Sequence, residues 1–258
     1  MANNTNPTRL RTWSLENNDK LQVMTSNNYL TSLLLQHQNQ LQPVVLFNPT
    51  TEKLLPLDFT ESNLELTPEI VNDTDAFSQY IIKKLTTTGA TYGIGGYNEH
   101  RTVYARSEVF NTSDEPRRLH LGTDIWGAAG TPIFAPIHGI VHSLGNNNRF
   151  GDYGATIILQ HQLEGFIFHS LYGHLSLASI NALEANQRIL AGSQIATFGI
   201  AEENGNWPPH LHLELIIDMH GMRGDYPGVC KFSEREKYLA NCPNPDLVLN
   251  LQRYVDLK

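Results

Sequence analysis

The chain has 258 residues, 40% of them hydrophobic, and a formal net charge of −8. That length accommodates one large core, or a main domain with a smaller attachment. The acidic balance, with no long basic run, argues against nucleic acid or an anionic surface as the main partner, because phosphate binding needs clustered Lys and Arg.

The polar start through Lys20 lacks a basic segment followed by an apolar one, so no signal peptide is expected. No run reaches the roughly 18 apolar residues of a membrane span. A cytoplasmic location follows if Met1 is the native start, and a periplasmic or extracellular one if a leader has been trimmed. From Asn28 to Leu41, Leu30, Leu33, Leu34 and Leu41 recur at helical spacing just before Pro43. Asn72 or Asp73 can cap a second helix with an apolar stripe of Phe77, Tyr80, Ile81 and Leu85, stopped by Gly89. Thr86 to Gly96 is expected to act as a hinge. Gly93-Ile-Gly-Gly96 within it is no phosphate loop, since no Lys-Ser/Thr follows.

From Gly130 the pattern turns to short β-rich runs separated by Gly, Asn and Pro: Thr131 to Ala135, Gly139 to Leu144, Ala155 to His161, Phe166 to Tyr172, Gln194 to Phe198 and Leu211 to Ile217. Such runs, without helices between them, predict an antiparallel sheet or open barrel. Ser233 to Ala240 and Asp246 to Tyr254 then read as helices. The expected fold is therefore mainly β, α+β overall. A partly helical N-terminal region spans 1–89, a catalytic β domain 90–220 and a helical extension 221–258. Cys230 and Cys242 read as reduced structural thiols, or as a disulfide closing a short loop; a zinc site made from them lacks the C-x-x-C pairing.

Ten of the eleven histidines lie between His100 and His220, and four of them fall in three clusters: His120-Leu-Gly-Thr-Asp124, Tyr172-Gly-His174 and His210-Leu-His212. In a strand, His210, His212 and Glu214 point to one face while Leu211, Leu213 and Leu215 point to the other. A solvent-facing strand alternates too, but seldom with two imidazoles in succession. Between His120 and Asp124 a glycine lets the backbone curl so that both side chains converge; the plainer reading is a surface turn. Two imidazoles and a carboxylate make a three-ligand zinc site with an open fourth position, the arrangement of catalytic zinc. One histidine of His-Leu-His and that of Tyr-Gly-His are left for acid–base work.

The stretch from His120 to Leu215 resembles the lysostaphin and LytM-type zinc metallopeptidases in its H-x-x-x-D, its Leu171-Tyr-Gly-His-Leu175 and its Pro209-His-Leu-His-Leu213. The frame of Gly130-Thr-Pro-Ile-Phe-Ala-Pro-Ile-His-Gly139 and Gly192-Ser-Gln-Ile-Ala is similar as well. The resemblance implies that His120, Asp124 and His212 bind one Zn2+ per chain, and that His174 and His210 are the catalytic pair. It implies a zinc metalloendopeptidase acting on a peptide or peptidoglycan-like substrate, cross-link peptides being the default. Two alternatives stand beside it: a non-catalytic LytM-like module that binds and activates a partner, and a cytosolic zinc hydrolase for a different amide.

Where many cell-wall members carry a small Ser/Thr-Gly segment, this chain has Asn206-Trp207-Pro208-Pro209, which predicts a stiffer and bulkier wall beside the zinc. Glu214 reads either as a partner that orients a ligand or as a solvated carboxylate. His138, His142, His161 and His169 are assigned no role. Some LytM-type enzymes are latent because an upstream asparagine occupies the metal, and Asn98 is the candidate here; an ordinary loop asparagine is the alternative.

Overall fold

The computed structural model describes residues 25–111 and 114–255. The stretch through Lys20 read for an export signal lies outside them. In chain order the elements are α1 (25–36), β1 (Leu54–Leu57), α2 (Pro68–Asn72), α3 (Thr74–Thr88), β2 (Tyr92–Gly95), β3 (Arg117–His120), β4 (Thr123–Trp126), β5 (Pro132–Phe134), β6 (Gly139–Asn147), β7 (Gly154–Leu163) and β8 (Phe166–Leu175). There follow α4 (Leu177–Asn181), β9 (Arg188–Ile189), β10 (Gln194–Thr197), β11 (His210–Ile216), β12 (Val229–Lys231), α5 (Arg235–Asn241) and α6 (Asp246–Leu249).

Eight strands form one sheet in the order β1-β2-β4-β11-β8-β7-β6-β9, and β10 with β5 and β12 with β3 form two-stranded ribbons. Every pairing is antiparallel except β1 with β2, so the main sheet is mixed. It ends in two edge strands and does not close into a barrel. Pro56 falls on the edge strand β1, where a missing N–H costs no ladder bond.

The six expected β runs all fall on strands, with β6, β7 and β8 extending further than their apolar alternation suggested. The helical expectations hold in type. Asp73 caps α3 by accepting from the Ala76 N–H, and Gly89 ends it in the left-handed region at φ 66°. The last expected helix breaks at Asn250, where φ is 51°. The expected hinge at 86–96 is instead the last turn of α3 and then β2, a fully buried strand paired to β4. Gly93 is needed there for space: a Cβ would come within 2.4 Å of Leu57 Cδ1 and 3.3 Å of Trp126 Cβ.

The strand carrying His-Leu-His sits between the other two site strands. In β11, Leu211, Leu213 and Leu215 face a core shared with Ile125, Ile157 and Phe168, and α1 covers that core with Leu30 and Leu34. Burying each such side chain contributes about 1.5–3 kcal/mol. The opposite face of β11 carries His210, His212 and Glu214, all buried. Strand β4 runs along one side of it with Asp124 directly opposite His212, and β8 along the other with Gly173 opposite the same residue. Among the described residues no helix is long and apolar enough to cross a membrane.

Candidate metal centre

Three donor atoms converge where β3, β4 and β11 meet. His120 Nε2 lies 2.9 Å from His212 Nδ1 and 3.2 Å from Asp124 Oδ1, and the His212 and Asp124 atoms are 3.0 Å apart. The chain turns between β3 and β4 at Leu121-Gly122, which brings residues four apart to one point. Gly122 is required by close approach: a Cβ there would come within 2.4 Å of His212 Cε1 and 2.6 Å of the Leu213 carbonyl oxygen. All three ligand candidates are at most 3% exposed.

The outward atoms of the three are engaged as well. His120 Nδ1 donates to the Gly96 carbonyl at 2.8 Å, Asp124 Oδ2 accepts from Arg101 Nη1, and His212 Nε2 faces Glu214 Oε2 at 3.5 Å and the Tyr153 hydroxyl at 3.4 Å. Burial, with Arg101 beside it, pushes His120 down to about 4. Asp124 stays well below the usual carboxylate range despite its burial, because His120 and Arg101 face it. Burial works against a charge on His212, yet its contacts with Asp124 and Glu214 outweigh that and raise it. Glu214 is fully buried, which removes the solvated reading, and burial raises its carboxyl.

His174 and His210 stand beside this cluster with ring centroids 4.0 Å apart. Each gives its Nδ1 hydrogen to a main-chain carbonyl at 2.7 Å, His174 to Asn204 and His210 to Pro208. This leaves Nε2 as the acceptor on both rings. His174 takes φ 63°, a strained conformation for a non-glycine residue, and Trp126 stacks on His210 at 3.8 Å and 13°. Burial lowers both rings, His210 to about 4 and His174 well below its ordinary value, with His210 adding to the effect on His174. A cavity of about 260 Å³ is lined by His174, His210 and His212 together with Asp124, Tyr153 and Trp207.

The structure thus brings all five expected site residues together. Trp207 forms the bulky wall expected from Asn-Trp-Pro-Pro, its ring 6.3 Å from His174. Asn98 is turned elsewhere, its side-chain oxygen accepting from Arg235 Nε at 2.9 Å. His161 and His169 are buried away from the cavity. Both cysteines are free and buried. Sequence reasoning missed Arg101, Tyr153, Trp126 and Asn204. Asn204 is fully buried and ties its loop through Gly199 O, Trp207 O and Trp207 N, so it fixes the segment whose carbonyls hold both catalytic candidates.

Fold and donor set define the class: a β-sheet domain in which two central strands, β4 and β11, and the adjoining ribbon strand β3 bring two imidazoles and one carboxylate to a common point. Residues 118–223, about two-fifths of the chain, match Peptidase family M23. It is 28% identical over 153 residues to the peptidoglycan DD-endopeptidase ShyA of Vibrio cholerae, a match covering 54% of this chain and 33% of the relative. It is 32% identical over 101 residues to an uncharacterized metalloprotease of Haemophilus influenzae, covering 39% and 19%. The chain therefore spans a third or less of the length of these curated relatives. Among solved structures, a zinc-containing peptidase from Vibrio cholerae aligns at 25% identity and a TM-score of 0.31, over 38% of this chain and 27% of that one.

Proposed function

We propose that this chain is a zinc-dependent endopeptidase that hydrolyses an amide bond in peptidoglycan-type cross-link peptides. The observation that carries the reading is one cavity lined by Asp124 and His212, two of the three facing donors whose third is His120 behind them, together with two histidines of fixed tautomer, His174 and His210. The donor set fits zinc: two neutral-capable imidazoles and a carboxylate aim at one point, and each is held from behind by a hydrogen bond or charge. When bound there, zinc supplies a Lewis acid and lowers the pKa of a coordinated water toward neutrality.

The chain's own residues carry the proton. His174 and His210 are neutral near pH 7, and each keeps Nε2 free of hydrogen bonds to other described residues. One ring takes the proton of the attacking water on its free Nε2, and the imidazolium so formed can donate that proton to the tetrahedral oxyanion or to the leaving amine. The other ring can act as a donor only after it has itself taken up a proton at Nε2. Trp126 and the Asn204 loop keep the rings from turning. The substrate class rests on the relationship to ShyA and to the lysostaphin type.

The test is metal content of the purified chain beside His120→Ala and His212→Ala, followed by cleavage of cross-linked muropeptides. About one zinc per chain, lost in both variants, with cleavage abolished in His174→Ala and His210→Ala, supports the reading. A chain that takes up no zinc sinks it. A chain that takes up zinc but cuts other amides in place of muropeptides moves the substrate class.

A further inference from the structure

We propose that Arg101 is a positioning residue for the metal centre: it occupies the second oxygen of Asp124 and so restricts that carboxylate to a one-oxygen ligand. The inference rests on the zinc reading of His120, Asp124 and His212. It goes beyond it because Arg101 lies outside the family-matched segment 118–223.

Arg101 is 1% exposed, and every part of its head group is engaged. Nη1 donates to Asp124 Oδ2 at 2.5 Å and to the Tyr104 hydroxyl at 3.2 Å, Nε donates to Glu99 Oε2 at 2.6 Å, and Nη2 reaches the Gly96 carbonyl at 3.4 Å. The Phe59 ring lies 5.0 Å from the guanidinium carbon. A charge buried this deeply is tolerated only when paired and hydrogen-bonded.

The same short segment also holds His120. The Gly96 carbonyl that Arg101 touches is the acceptor for His120 Nδ1. The backbone closes around the ligand through Asn98 N to His120 O, His120 N to Glu99 O and Arg101 N to Arg118 O. Residues 96–101 therefore support two of the three ligands from outside. Gly95 makes the space: a Cβ there would stand 2.6 Å from Arg101 Nη2.

The chemistry of the pair is specific to arginine. Asp124 Oδ1 faces both imidazoles, and with Oδ2 held by Arg101 the carboxylate cannot rotate to offer both oxygens to one ion. Glu99 neutralises the guanidinium from its far side, so a bare positive charge does not stand beside a divalent cation. A lysine keeps the charge but has no planar fork to hold Asp124, Glu99 and the Gly96 carbonyl at once.

The experiment uses the full chain, with Zn2+ and Co2+ as probes, and compares the wild type with Arg101→Lys and Gly95→Ala. Affinity is read by competition with a chromophoric chelator and coordination by the visible spectrum of bound Co2+, each at a temperature where circular dichroism shows the variant folded. Arg101→Lys is expected to lose about 10–100-fold in affinity, the range for partners that orient a ligand. Its cobalt bands should weaken and shift as Asp124 turns toward two-oxygen binding. Gly95→Ala, which displaces the guanidinium without removing its charge, should move both readouts in the same direction. If Arg101→Lys does not fold, Gly95→Ala decides alone. A purely structural arginine lowers the melting temperature but leaves affinity and cobalt spectrum of the folded protein unchanged, and that result overturns the inference while leaving the zinc reading intact. Failure of the wild type to take either ion overturns both.

Discussion

Acid should cost this protein stability through His161, a residue that does not line the candidate site. Its Nδ1 lies 2.9 Å from the His138 carbonyl and its Nε2 2.6 Å from the Ser170 hydroxyl, with the ring fully enclosed. Burial lowers it from the ordinary 6.5 to about 4 in the folded chain. The unfolded chain therefore binds the proton more readily, so the contribution is fully present above pH 6.5 and is lost as the pH falls toward 4. With those two values the loss at pH 5 is about 2 kcal/mol, approaching about 3 kcal/mol below pH 4. Urea unfolding in EDTA at pH 7.5 and pH 5, for the wild type and His161→Asn, isolates the effect. Other buried histidines titrate in both proteins and largely cancel, apart from a small mutual repulsion between His161 and His169. The variant starts less stable but should lose about 2 kcal/mol less on acidification. Equal losses in the two proteins refute the reasoning.

The remaining predictions concern the site and its supports. Gly122→Ala places a methyl against His212 and the Leu213 carbonyl, so zinc content should fall, with about 1–3 kcal/mol lost to overpacking; full zinc occupancy in the folded variant would contradict the close approach. Asn204→Ala removes the clamp on the loop bearing the Asn204 and Pro208 carbonyls, and should lower kcat on muropeptides at unchanged zinc content. Loss of zinc together with kcat would place Asn204 in the metal support instead. Asn98→Ala should leave zinc content and activity unchanged while costing about 1 kcal/mol, since it puts alanine at φ 59° and frees Arg235. A large rise in activity would restore the latent-enzyme reading.

Much of the site was legible because its spacing is local. His-Leu-His announces a strand with two imidazoles on one face, and the three leucines that alternate with Glu214 and the histidines are the core side of that strand. Asp73 and Gly89 marked the ends of α3 by capping chemistry that acts within four residues. Strands β3 and β4 escaped because each is four residues long. One begins with Arg117-Arg118 and the other is buried at every position, so neither shows alternation. The pairing of β1 with β2 joins segments more than thirty residues apart, and Gly93 and Gly95 resembled punctuation when they are spacers. Arg101 was invisible for the same reason: a charged residue is read as exposed unless its partners are known, and Asp124 lies 23 positions away.

The partner on the far side of each ring sorts the histidines by role. His174 and His210 are backed by main-chain carbonyls, which fix the tautomer but carry no charge that would favour an imidazolium. Burial then dominates and keeps both rings neutral, as a group must be that first accepts a proton. His212 lies between two carboxylates, Asp124 and Glu214, which draw positive charge to that ring and suit it to face a cation. Two histidines on adjacent same-face positions of one strand, chemically identical in the sequence, are thus made different by a Pro208 carbonyl behind one and a buried glutamate behind the other.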